Sequence, residues 1–120
     1  MHIYSQSSGK LWGSSGEIIA TGYSGYGRGK NNAALQGVKS VGPIPRGEWV
    51  ITGVYDSKRV GPLAIILEPS GHDALDRTYF RIHGDSIRHP GEASKGCIIQ
   101  GRVIRQAIID YNDKILRVIE

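Results

Sequence analysis

The segment YFRIHGDSIRHPGEASKGCIIQ, residues 79–100, decides how the chain is read. It opens on Tyr79-Phe80-Arg81-Ile82, a strand-like run that delivers His83 at its end. A polar loop marked by Gly84, Pro90 and Gly91 follows, and Ser94-Lys95-Gly96-Cys97 then leads into the apolar pair Ile98-Ile99. The only cysteine of the chain thus stands where a loop enters a buried segment, fourteen positions after a histidine that closes another. A thiol attacks a carbonyl as its thiolate, which needs a nearby base or a positive field. Two strand ends facing one another supply that pairing.

Working outward, the period changes after Cys97. Val103, Ile104, Ala107 and Ile108 recur at helical spacing, so Arg102 to Tyr111 is predicted as the one short helix, and Lys114 to Ile119 returns as a last strand. Upstream, Trp49 to Tyr55 and Leu63 to Leu67 read as strands, and Pro43-Ile44-Pro45-Arg46-Gly47 as a turn. Ile3-Tyr4 and Leu11-Trp12 flank the turn residues Ser7 to Lys10 as an opening hairpin, with Glu17 to Thr21 as a third strand. Between them Gly22 to Gly42 is rich in Gly, Ser and Asn, and its length predicts a functional loop or lid over the site. The sum is a mainly β chain, a sandwich or barrel-like sheet with one helix after the cysteine.

The chain has 120 residues, which fits one domain over 1–120 with a single core. Its 17 glycines, about twice the usual share, agree with a turn-rich β architecture. A lone cysteine excludes an internal disulfide. The opening Met1-His2-Ile3-Tyr4-Ser5 turns polar at once, so synthesis in the cytoplasm without a signal peptide is expected. No run approaches a membrane span, and no membrane insertion is expected. The formal charge of +4 favours anionic surroundings such as a cell-wall polymer, but the cations are dispersed and nucleic acid is not the expected partner.

Taken alone, Cys97 reads as a small buried hydrophobe and His83 as a core histidine. Their neighbours argue otherwise. Gly96 allows close backbone approach and is expected to leave N–H groups free for an oxyanion, while Lys95 places a cation beside the thiol and should lower its pKa.

His83-Gly84 followed by Ser94-Lys95-Gly96-Cys97-Ile98 resembles the signature of the L,D-transpeptidase family, and Gly42 to Ile51 resembles that family's proline-and-glycine turn into a strand. Gly22-Tyr23-Ser24-Gly25 and Gly29-Lys30-Asn31-Asn32 resemble its short branch of type VI secretion effectors that attack peptidoglycan. The resemblance runs from about Tyr4 to Ile109. It implies a β-sandwich or barrel-like catalytic domain with Cys97 as nucleophile and His83 as general base, Ser94 and Gly96 shaping the thiol's turn. The implied substrate is the tetrapeptide stem of peptidoglycan, cut before its terminal D-alanine. The acyl-enzyme would pass to water, a free D-amino acid or a second stem. No cofactor or metal is implied. A cognate immunity protein and delivery to the periplasm of a target bacterium are.

The chain departs from the pattern at Ile99, where many family members carry an arginine two positions after the cysteine. Arg102 or Arg105 is expected to supply that cation, with Lys95 and Tyr23 as further substrate contacts. Other classes remain in view. A papain-like amidase also uses Cys and His, but in the order Cys first. A zinc peptidase would recruit His72, His83, His89 and Asp85, which lack helical metal-ligand spacing. A non-catalytic wall-binding or phage structural module would need neither Cys97 nor His83.

Overall fold

The structure, a computed structural model, describes all 120 residues. The opening hairpin joins β1 (His2–Ser5) to β2 (Lys10–Trp12), with Tyr4 opposite Leu11, and β3 (Ile18–Thr21) pairs back on β2. β4 (Tyr23–Ser24) is a two-residue strand inside the segment predicted as a loop. The apolar runs on either side of residues 58–60 form a long antiparallel hairpin, β5 (Gly47–Ser57) and β6 (Gly61–Ser70). β7 (Phe80–His83), β8 (Ile98–Ile99), α1 (Arg102–Asp110) and β9 (Ile115–Ile119) complete the chain.

All nine strands belong to one mixed sheet in the order β3-β2-β1-β9-β5-β6-β7-β8-β4. β1–β9 and β7–β8 are its parallel pairs. The two edge strands, β3 and β4, are joined in the chain by Gly22 alone, so the two edges of the sheet meet end to end at that residue. Flat, nine strands at a spacing of about 4.8 Å would span roughly 38 Å; the longest extent of the molecule is 33 Å. The sheet therefore curls almost shut, which is the barrel-like alternative of the sequence reading.

Inside the curl lies one core, built on Tyr4, Leu11, Trp49, Ile65, Phe80, Ile82, Ile98 and Leu116. Trp49 sits edge-on to Phe80 at 4.9 Å between ring centroids, and its indole N–H donates to the Pro45 carbonyl at 3.0 Å. Helix α1 follows Gly101 and turns Arg105 and Ile108 inward against β6. Residues 25–46 are ordered by two 3₁₀ turns, at Gly27–Gly29 and Ala33–Leu35, the second capped by the Asn32 side chain.

Candidate active site

β7 and β8 run parallel, with Ile82 opposite Ile98 and His83 opposite Ile99. Side chains alternate along a strand, so His83 and Ile99 share one face while Ile82 and Ile98 point into the core. Cys97, two residues before Ile99, emerges on the His83 face. Both side chains line one cleft of about 380 Å³, together with Lys39, Arg59, Arg77, Tyr79 and Lys95. A second, wider depression of about 650 Å³ adjoins it and shares His83 and Arg59.

The turn that presents the thiol is held by saturated hydroxyls. The Ser94 hydroxyl, fully buried, donates to the Cys97 carbonyl at 2.5 Å and accepts from the Gly25 and Gly96 N–H groups at 2.8 and 3.1 Å. Ser24 donates to the Gly96 carbonyl at 2.9 Å and accepts from Ile44 N–H at 2.8 Å. Gly96 adopts φ +136°, and a Cβ there would lie 2.5 Å from the Arg77 guanidinium. That guanidinium donates to the carbonyls of Gln36, Pro43, Gly42 and Lys95 at 2.6–3.2 Å, stitching the 36–43 segment to the cysteine turn. The expectation of a free Gly96 N–H therefore fails, because Ser94 occupies it. The Cys97 N–H makes no turn or loop hydrogen bond.

His83 Nδ1 lies 2.8 Å from the Gly84 carbonyl, which can only accept. Nδ1 thus carries the proton, and Nε2 presents a lone pair. Burial holds the imidazole pKa below its usual value; the Gly84 bond works against it and Arg105 with it. The thiol departs from the sequence expectation. Cys97, 6 % exposed, donates to the Tyr79 carbonyl at 3.6 Å. Burial pushes its pKa up to about 11, although Arg81, Arg59 and Arg77 all pull it down. At neutral pH the cleft holds a neutral thiol and a neutral imidazole.

The family model for the Tlde1 domain matches residues 18–118, a span that includes the cleft and both strands that build it. The chain belongs to the Tlde1 domain family. This is a type VI secretion L,D-transpeptidase effector domain, with peptidoglycan-targeting, L,D-transpeptidase-like activity and delivery to target cells. No curated protein matches the chain. No helix of this Tlde1 domain is long and apolar enough to cross a membrane.

The other residues singled out in the sequence divide sharply. Lys95 is exposed and lines the cleft. Arg102 is exposed on the first turn of α1 and lines neither depression. Arg105 is buried at the floor of the wider one, where its guanidinium donates to the carbonyls of Gln100, Pro62 and Leu63. Tyr23 braces the 85–93 loop: its hydroxyl donates to Asp85 at 2.5 Å and accepts from Ala93 N–H at 2.9 Å. His72 donates to the Glu48 carbonyl and packs against Trp49, and His89 pairs with Glu92. No three His, Cys, Asp or Glu side chains gather where they could hold a metal ion.

Sequence reasoning missed Arg77, Tyr79 and Arg59. Tyr79 has a left-handed backbone, φ 65°, and follows Ala74, Leu75 and Asp76, which are left-handed as well. Such left-handed non-glycine residues mark stored backbone strain, and the last of them, Tyr79, receives the Cys97 thiol on its carbonyl.

Proposed function

We propose that this Tlde1 domain is a cysteine-dependent L,D-carboxypeptidase and L,D-transpeptidase that removes or exchanges the terminal D-alanine of peptidoglycan tetrapeptide stems. The observation that carries the reading is the emergence of Cys97 and His83 on one face of paired parallel strands, into one cleft. Attack begins from the neutral pair. His83 Nε2 takes the thiol proton as Sγ bonds to the carbonyl carbon of the third stem residue, so no thiolate need exist beforehand. The Cys97 N–H is the donor best placed for the oxyanion. Collapse breaks the C–N bond, and the imidazolium returns its proton to the departing D-alanine amine. Water or the amine of a D-amino acid then attacks the thioester, giving its proton to His83 and regenerating the thiol.

Within this scheme Ser94 and Gly96 fix the turn, and Lys95 contacts substrate at the cleft wall. Tyr23 and Arg105 position the 85–93 loop and Gly84 rather than reach the reacting atoms. Arg102 remains a contact only for a substrate long enough to pass the cleft. The site of action is the periplasm of the target cell, where the stems lie, and an immunity protein guards the producer. Incubation with purified muropeptides tests the reading by product mass. Wild type should convert tetrapeptide stems to tripeptides or D-amino-acid-exchanged stems, and Cys97→Ala should leave them intact. Stems untouched by wild type, with alkylation of Cys97 leaving wall binding unchanged, would instead favour a non-catalytic binding module.

A further inference from the structure

One guanidinium in the cleft is held in place yet makes no hydrogen bond or ion pair. Arg77 spends its guanidinium on four carbonyls, Arg105 on three, and Arg81 on the Tyr55 hydroxyl and the Phe80 carbonyl. The Arg59 guanidinium enters no hydrogen bond, and none of the ion pairs includes it. It is nonetheless placed by the fold. Arg59 sits at the tip of the β5–β6 hairpin, where the Ser57 hydroxyl accepts from the N–H groups of Arg59 and Val60, both at 3.0 Å. Its guanidinium lies over the Tyr79 ring, 4.6 Å from the centroid, and Tyr79 is the residue whose carbonyl receives the Cys97 thiol. Arg59, like His83, lines both depressions. Position 99, by contrast, is a buried isoleucine and offers no charge.

We propose that Arg59 is the carboxylate anchor of the cleft, binding the terminal carboxylate of the stem peptide while Cys97 attacks the carbonyl one residue before it. The proposal rests on the stem-peptide reading given above. One extended residue spans at most about 3.6 Å, so the anchor must stand close to the nucleophile. Arg59 and Cys97 line the same cleft and flank the same residue, Tyr79, the guanidinium over its ring and the thiol on its carbonyl. A planar guanidinium matches a carboxylate with two parallel hydrogen bonds, which Lys39 and Lys95 on the same cleft cannot do.

The test is binding without turnover. Cys97→Ala protein is titrated with two synthetic tetrapeptide stems, one ending in a free carboxylate and one in a carboxamide. The carboxylate form should bind roughly tenfold tighter or more, as a charge-assisted pair would give. Adding Arg59→Gln, which keeps a planar group over Tyr79, should abolish that preference, as should Arg59→Ala. Lys58→Ala, the same charge on the same turn but outside the cleft, should preserve it. A preference that survives both Arg59 substitutions, or that disappears only with Lys39→Ala or Lys95→Ala, overturns the anchor and leaves the stem reading standing. Binding of neither peptide overturns both.

Discussion

At the scale of single residues, the site is a pair of groups whose pKa values burial moves in opposite directions. Burial disfavours the charged form of each, raising the thiol and lowering the imidazole. His83 stays neutral, and able to accept a proton, below its usual value of 6.5, so the acid limb of kcat/KM should lie below pH 6.5. An acid limb above pH 7 would contradict a buried base. The same shift acts on stability: on acidification through 6.5 the unfolded chain takes up a proton that the folded imidazole refuses, so stability should fall there. A His83→Asn variant should show a flatter melting-temperature profile over that range. That Cys97 and His83 stand at neighbouring strand ends was legible in the sequence, because a strand end and a Gly-Cys turn are local patterns. The state of the thiol was not. Lys95 and His83 suggested a lowered pKa, whereas burial among residues distant in sequence sets it.

At the scale of elements, the cysteine turn is rigid because Ser94, Ser24 and Arg77 satisfy its backbone from three directions. Ser94→Ala would strip one hydroxyl from three buried backbone groups. It should cost about 2 kcal/mol or more, read by chemical denaturation, and should reduce kcat further than the loss of folded protein explains. Gly96→Ala meets both a positive φ and the Arg77 guanidinium, so loss of activity should accompany its lowered melting temperature. Retained wild-type kinetics in both variants would show that the turn does not present the thiol. The Ser-x-Gly-Cys pattern announced this turn, but nothing announced Arg77. Its carbonyl partners lie 18 to 41 residues away in the chain, and no local pattern encodes such a clamp. The same distance hides how residues 22–42, expected as a functional loop or lid, are anchored. Their first residues form strand β4, Arg77 pins their end, and only Lys39 and Ser40 reach the cleft.

At the scale of the molecule, a sheet curled almost shut pairs its edge strand β4 with β8, and so braces the strand that follows Cys97. Gly22 is the seam: a Cβ there would collide with the Ile99 carbonyl. Gly22→Ala should therefore destabilise by about 2 kcal/mol or more, as forced overpacking does, while Gly101→Ala, where a Cβ meets nothing, should stay within about 1 kcal/mol. Equal melting temperatures for the two would mean that the seam is loose. The strands and the helix followed from hydrophobic period, since each run is long enough to show it. Closure did not, because β4 and β8 have only two residues each and pair across most of the chain.

The most direct test of the neutral Cys97–His83 pair is the rate of acyl-enzyme formation across pH, followed by intact-protein mass after mixing with tetrapeptide stem. Wild type should acylate Cys97 readily near neutral pH, although its free thiol loses its proton only toward about 11. His83→Ala should acylate only as the pH climbs toward that value. Acylation of His83→Ala at the wild-type rate near neutral pH, or an adduct on any residue other than Cys97, would contradict it.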